Sequence, residues 1–309
     1  MSIIQAPSSV VMIRPHAFHP NPETSADNAF QTQAQVDDVS SRARAEFDTA
    51  AETLRTAGVT VHAFDDFGDS DTPDSVFPNN WFSTHTGGHV ALYPMYAENR
   101  RRERRSDVIE MLKRDYRVSE VIDYSGLEQD GLALEGTGAM VLDHIGRIAY
   151  VAKSNRADPV LLERFCAHFN YEPISFDAVD AQGTAIYHTN VLMGIGTEYA
   201  LICLDMIPDP ERRRTVAERL SENGRAVIDL THDQIADFAG NAIELTGDSR
   251  VLALSARAYE ALRPDQLAII ERSARPLPLT IPTIETAGGS VRCMLAGIHL
   301  TRRPERTDR

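Results

Sequence analysis

The hydrophobic and polar positions of the chain follow one pattern that recurs. A polar residue leads into a short apolar run, a turn, a second apolar run, an amphipathic stretch and a third apolar run. The opening part is carried by "NWFSTHTGGHVALYPM", "EGTGAMVLDHIGRIAYVA", "HTNVLMGIGTEYALICLD" and "NAIELTGDSRVLALSA". Short apolar runs bounded by turn residues predict strands, and apolar residues at i, i+3 and i+4 predict helices. Helical spacing is present in "RRERRSDVIEMLKRDY", "DPVLLERFCAHFN" and "DPERRRTVAERLSENG". The last two open on Asp-Pro, a cap followed by the one helical position that tolerates proline. The N-terminal region has the same order, with "VVMIRP" as strand, "VDDVSSRARAEFDTAAETLRTAG" as helix and "VTVHAFDD" as strand.

The residues that open the four runs are Asn80, Glu135, His188 and Asn241, spaced 55, 53 and 53 positions apart. A further 52 positions lead to Cys293, and 52 positions back from Asn80 lies Asn28. One such unit cannot bury its own apolar face, so about five of them predict a closed or arrayed α/β architecture. No linker or low-complexity tract interrupts the pattern, and residues 1–309 read as one catalytic domain. In units related by rotation, equivalent positions point at a common axis, which brings Asn80, Glu135, His188 and Cys293 together. Cysteine, histidine and glutamate there supply a nucleophile, a general acid/base and a carboxylate to orient the substrate. Asn241 reads as a turn cap and stays outside this group.

Charge and composition narrow the partners. A net charge of −14 and a pI of about 5.1 oppose nucleic acid and anionic membrane surfaces. No segment approaches the roughly 18 apolar residues of a membrane span, and the N-terminus has no leader pattern, so a soluble cytoplasmic protein is expected. Three cysteines, an odd number without ligand spacing, predict neither a disulfide framework nor a metal site. Cys166 and Cys203 fall on apolar segments and read as core. "GTGAMV" lacks the Lys-Ser/Thr pair and following helix of a phosphate loop, so no cofactor is expected. A homo-oligomer is compatible with this composition. His16 and His19 read as surface or entrance residues, and His85, His89, His144 and His168 as structural.

"FPNNWF", "LEGTGAMVLD", "IYHTNVLMGIG" and "GGSVRCM" resemble the four site motifs of the guanidine-modifying superfamily. Arginine deiminase, dimethylarginine dimethylaminohydrolase and the amidinotransferases belong to it. The resemblance runs from "VVMIRP" to "CMLAGIHL" and implies the pentein fold, a five-bladed pseudo-symmetric α/β propeller of ββαβ-type units. Within the superfamily, "MIRPHAFHPNPETSADNAFQ", "FPNNWFSTH", "LYPMYAENRRRERR", "YHTNV" and "FAGNAIEL" most resemble the citrulline-utilisation hydrolases, or citrulline ureidases.

The resemblance implies a small amino-acid substrate and assigns roles. Cys293 is the nucleophile, His188 the acid/base and Glu135 a ligand of substrate N–H groups. Arg100 and Arg156, at the far ends of equivalent hairpins, hold the α-carboxylate, while Arg101, Arg102, Arg104 and Arg105 read as a solvated helix face. Two positions depart from arginine deiminase, whose aspartates for the guanidinium are here Asn80 and Asn190. A guanidinium is a fixed cation and needs carboxylates. A ureido group is neutral, and an amide matches both its carbonyl and its N–H groups. The expected activity is covalent hydrolysis of citrulline to ornithine, carbon dioxide and ammonia, with Arg292 or an imidazolium favouring the thiolate. The Gly-Gly before Cys293 reads as room for substrate. The alternatives are a guanidine substrate on the same frame, or a non-catalytic pentein, which would lack the Cys-His-Glu set.

Overall fold

A computed structural model describes residues 3–32 and 38–304. Its strands form five three-stranded sheets, each built the same way. The inner strands of four sheets are Phe82–His85, Val141–Asp143, Met193–Ile195 and Ile243–Thr246. Each pairs antiparallel with a middle strand, His89–Leu92, Ile148–Ala152, Tyr199–Ile202 or Arg250–Ser255. The chain then crosses through a helical segment to an outer strand parallel to the middle one: Glu120–Asp123, Glu172–Phe176, Ala226–Asp229 or Arg275–Leu279. This is the five-unit α/β propeller expected from the repeat.

The fifth sheet closes the ring with the two ends of the chain. Ser9–Pro15 lies parallel to Thr60–Asp66, and Ala296–Gly297 supplies the inner strand by pairing antiparallel with Val10 and Val11. Cys293, just before Ala296, is therefore this unit's counterpart of Asn80. Asn28 is not, although it lies one period before Asn80. Its side chain bonds the Ala287 carbonyl and the Phe30 N–H in a segment that crosses over the axis. The spacing offered six positions for five units, and ring closure removes the extra one.

The crossover helices form where the periodicity places them. Pro159–Phe169 is capped by Asp158, whose carboxylate accepts from the N–H groups of Val160 and Leu161, and it ends at Asn170 with a left-handed φ of 54°. Pro210–Ser221 is capped by Asp209 in the same manner. Val39–Thr56 buries Ala43, Phe47, Ala50, Ala51 and Leu54 against this fifth sheet; the predicted segment's first residues lie outside the described ones. The arginine-rich stretch departs from expectation. It is a short 3-10 turn, Asn99–Glu103, a break at Arg104 and Arg105, then a helix from Ser106 to Asp115. Arg104 is drawn out by Glu128, at 2.5 and 2.9 Å, and by the Tyr93 carbonyl. Arg102 bonds Asp71, and Arg105 bonds Asp107. These side chains pin individual loops instead of forming one solvated helix face. No helix among the described residues is long and apolar enough to cross a membrane.

Candidate active site

Each unit carries a short turn immediately before its inner strand, and these turns meet on the axis. Asn80 ends the turn Pro78–Asn80, Glu135 precedes Gly136–Ala139, His188 precedes Thr189–Leu192 and Cys293 lies within Val291–Met294. The close fit is visible at Gly138. A Cβ there would stand 2.2 Å from Asn80 Nδ2 and 2.8 Å from His188 Nδ1, so a side chain has no place between these two residues.

Glu135 is the hub. It is completely buried, and its Oε2 accepts from His188 Nε2 at 2.8 Å and from Nη1 of both Arg100 and Arg156 at 3.5 Å. Its Oε1 takes the Tyr96 N–H at 3.0 Å. Burial alone would raise the carboxyl pKa, but the Arg156 guanidinium, the His188 hydrogen bond and Arg100 outweigh it and hold the group well below the usual carboxylate range. The opposite holds for His188. Burial lowers its pKa to about 4 against the pull of Glu135, so the ring is neutral at pH 7, with Nε2–H donating to the carboxylate.

The nucleophile candidate sits among amides. Cys293 Sγ accepts from Asn190 Nδ2 and from Asn241 Nδ2, each at 3.3 Å. Asn241 also donates to the Asn190 carbonyl at 3.0 Å, and its Oδ1 accepts from the Arg292 N–H at 3.0 Å. It thus ties together the two turns that carry Asn190 and Cys293. It caps the Cys293 turn, as expected, and also reaches the sulfur, a contact for which its place in the 53-residue period is the sequence signal. Asn190 Oδ1 and Asn80 Nδ2 are buried without partners, while Asn80 Oδ1 accepts from Arg100 Nη2 at 2.9 Å. The Gly-Gly pair is not open room either. Gly288 has φ +82°, and a Cβ there would stand 2.4 Å from the Asn28 amide, while one at Gly289 would stand 2.8 Å from the Phe77 ring.

Arg100 and Arg156 both reach Glu135, and each is also matched by a second carboxylate. Arg100 forms a two-pronged pair with Glu103, at 2.8 and 3.0 Å, and lies 3.7 Å from Asp74. Arg156 grips Asp27 with two prongs, its Nε at 2.9 Å, and lies over the Tyr187 ring at 4.8 Å. Asp27 belongs to an N-terminal segment that roofs the centre. Asn21 donates to Asp74 at 2.8 Å and exchanges bonds with Asn99, Glu23 accepts from the Asn99 N–H, and Thr32 N–H donates to the Thr286 carbonyl. Asp74, Asp27 and Glu103 escaped the sequence reading because none of them stands at a repeat position. Asp74 is 3% exposed and its Oδ1 has no partner.

The remaining residues are less central. Cys166 and Cys203 are buried in the core, and burial pushes their thiols up to about 12 and about 11. His16 pairs with Asp65 and stacks on Phe67, and His19 is exposed. His168 bonds the Tyr124 hydroxyl. A cavity of about 350 Å3 borders the roofing segment, lined by Phe30, Gln182, His232, Phe238, Arg257 and Thr286 among others, but by none of the seven predicted site residues. Among the described residues no group of three His, Cys, Asp or Glu side chains is arranged to hold a metal ion.

This ring of five α/β units, with cysteine, histidine and glutamate on its axis, defines the guanidine-modifying class of pentein proteins, in which the known enzymes break C–N bonds. The chain belongs to the N,N-dimethylarginine dimethylhydrolase family, whose eukaryotic model matches residues 14–300. No curated protein matches the sequence. Solved structures with the same fold include a substrate-bound cysteine-to-serine mutant of the N-terminal domain of ArgZ, an arginine dihydrolase from the ornithine-ammonia cycle in cyanobacteria. That match has 16% identity and a TM-score of 0.72, and it covers 94% of this chain and 97% of the other. Apo ArgZ matches at 17% identity and a TM-score of 0.70, over 95% of this chain and 40% of the other. A mutant of dimethylarginine hydrolase (DDAH) from Pseudomonas aeruginosa, in complex with citrulline, matches at 14% identity and a TM-score of 0.63, over 96% and 100%.

Proposed function

We propose that the protein hydrolyses the ureido group of citrulline, giving ornithine, carbon dioxide and ammonia, through a covalent intermediate on Cys293. The observation that carries this reading is the amide lining around the sulfur. Asn190 Oδ1 and Asn80 Nδ2 are buried and unpartnered, an acceptor and a donor that a neutral ureido head would satisfy. Glu135, the carboxylate at the centre, is already balanced by two arginines and is a poor sole counter-ion for a guanidinium. Arg100 and Arg156 supply positive charge for an α-carboxylate, and the free Asp74 oxygen supplies an acceptor for an α-ammonium.

His188, neutral at rest, takes the proton of Cys293 as sulfur bonds to the ureido carbon. The tetrahedral intermediate collapses as the imidazolium gives that proton to the departing δ-nitrogen. Ornithine leaves and a carbamoyl thioester remains. His188 then removes a proton from water, which adds to the thioester carbon, and the thiolate departs and regains a proton. The carbamate released decays to carbon dioxide and ammonia. Two ArgZ domain structures support a cysteine-based covalent route in that fold: the substrate-bound cysteine-to-serine mutant, and an asparagine-to-serine mutant covalently bound to a reaction intermediate.

A second reading is favoured by those same neighbours, called arginine dihydrolases: two successive hydrolyses of arginine, the second acting on citrulline. Offering citrulline, arginine and Nω-methylated arginines while following ornithine, citrulline and ammonia separates the readings. Ornithine from citrulline alone supports the proposal. Ornithine with two equivalents of ammonia from arginine selects the second reading, and accumulation of citrulline from any arginine overturns both.

A further inference from the structure

Arg100 and Glu103 belong to the 3-10 turn Asn99–Glu103, where three residues per turn bring side chains at i and i+3 into line. Both are buried. The Glu103 carboxylate takes the Arg100 Nε–H at 2.8 Å and one Nη2–H at 3.0 Å, which fixes the plane of the guanidinium. The other Nη2–H is left to Asn80, and it donates to Oδ1 at 2.9 Å. Glu135 takes a longer bond from Nη1, at 3.5 Å, so the second Nη1 hydrogen is left for a substrate carboxylate.

A guanidinium donates and never accepts, so the Asn80 atom that faces it must be the oxygen. The amide therefore has a set polarity, with Nδ2 turned away from Arg100 and standing beside the His188 ring across Gly138. That nitrogen is buried and has no hydrogen-bond partner among the described residues. Asn190 has the complementary arrangement: its Nδ2 donates to Cys293 Sγ at 3.3 Å, and its Oδ1 is the buried atom without a partner. Reversing the Asn80 amide would set Nδ2 against Nη2, donor against donor, and leave buried N–H groups unpaired at a cost.

We propose that Glu103 and Arg100 are positioning residues that lock the Asn80 amide with its N–H groups toward the reacting carbon, and so select a ureido head over a guanidino head. This deepens the ureido reading given above and rests on it. A ureido group offers an oxygen to accept from Asn80 Nδ2 and N–H groups to donate to Asn190 Oδ1. A guanidinium offers only N–H groups, so one of them meets Asn80 Nδ2 as donor against donor. Arginine is accommodated only by reversing Asn80 against Arg100. The locked N–H also faces the oxygen that gains charge as sulfur adds to the ureido carbon. Glu103 makes this selection without touching substrate, because it holds Arg100 and Arg100 holds the amide.

Binding to the Cys293→Ser protein tests this without turnover. Citrulline and arginine share the α-carboxylate and α-ammonium, so any loss at that end cancels in the ratio of their dissociation constants, and the ratio reports the head group alone. Calorimetry should find citrulline bound more tightly than arginine. Arg100→Gln, whose amide serves as donor or acceptor, should narrow the ratio by about tenfold, and Glu103→Gln by about threefold. Should Arg100→Gln fail to fold with Glu103 left unpaired, the double variant Arg100→Gln with Glu103→Gln removes both charges and should narrow the ratio equally. Arginine bound as tightly as citrulline before any change at Arg100 overturns the ureido reading and this proposal together. Citrulline preferred, with the ratio unmoved by the Arg100 or the Glu103 changes, overturns this proposal alone and leaves the ureido reading standing.

Discussion

On the Cys293 side of the axis, each buried guanidinium is held by more than one carboxylate. Glu135 lies between Arg100 and Arg156, and each of these holds a second carboxylate. On the other side, the rings of His85, His144 and His299 gather near Arg292, which pairs with no carboxylate among the described residues. Burial lowers the pKa of all three, His299 to about 3, so they stand as neutral rings. The same repeating unit therefore frames a compensated network in front and, behind, neutral rings beside one arginine. Charges held at fixed positions suit the recognition of a zwitterionic amino acid, while neutral rings fill a closing core at little electrostatic cost.

The largest effect separating the two sides comes from sulfur. Cys293→Ser should reduce turnover of whichever ureido or guanidino compound the enzyme accepts by at least about a thousandfold, as loss of a covalent nucleophile does. Labelling with a thiol reagent at pH 7.5 should modify Cys293 first, since burial pushes the thiols of Cys166 and Cys203 far up. Equal labelling of all three, with activity kept in the serine variant, refutes the assignment. Glu135→Gln comes next. It removes the acceptor that orients His188 and leaves both arginines one carboxylate short, so kcat should fall about a hundredfold and stability by about 3 kcal/mol. The mirror change behind the axis, His299→Gln, should leave kcat within about twofold.

Acid should act in two pH windows, the first shared by both sides and the second belonging to Glu135 in front. A histidine whose folded pKa lies below the unfolded value of about 6.5 binds its proton more readily in the unfolded chain, so stability rises with pH between the two values. His188, at about 4, and the histidines behind the axis therefore lose stability as pH falls from 6.5 toward 4. For His188 the loss from pH 7 to pH 5 is about 2 kcal/mol. Glu135 has the other sign relation: its contribution is complete above about pH 4.5 and is lost only as pH falls further. Urea midpoints at pH 7, 6 and 5 check the first window. A flat profile would mean that the rings titrate in the folded protein as they do in the unfolded chain.

How much of this was legible in the sequence depends on whether a residue lies on the repeat. Glu135, His188 and Cys293 could be placed on one axis because equivalent positions in rotated units must meet, and the same reasoning reached Asn241 before its capping chemistry displaced it. Ring closure was not legible, because the inner strand Ala296–Gly297 is two residues long and shows no alternation of its own. Asp74, Glu103 and Asp27 were hidden for another reason. Their roles depend on which arginine they face, and that is set by loops packing across the axis, with Asp27 and Arg156 separated by 129 positions. The arginine run misled for the same reason, since helical spacing says nothing about Glu128 drawing Arg104 out of line.

The smallest effect tests the roof. Asp27 holds Arg156 from the N-terminal segment, and its side chain is 22% exposed, so the pair is only partly shielded from solvent. An α-carboxylate that bound Arg156 would compete with Asp27 for the same fork of donors. Asp27→Asn keeps the shape and removes the charge. If the substrate carboxylate displaces Asp27, the variant should bind citrulline with a KM lowered by about threefold and an unchanged kcat, because the ground state no longer spends a charge pair to open. If Asp27 instead stays on Arg156 while the roof is closed, the same change should loosen the segment and raise KM. Steady-state kinetics on the one variant decides between the two, and with it whether Arg156 is free to bind substrate at all.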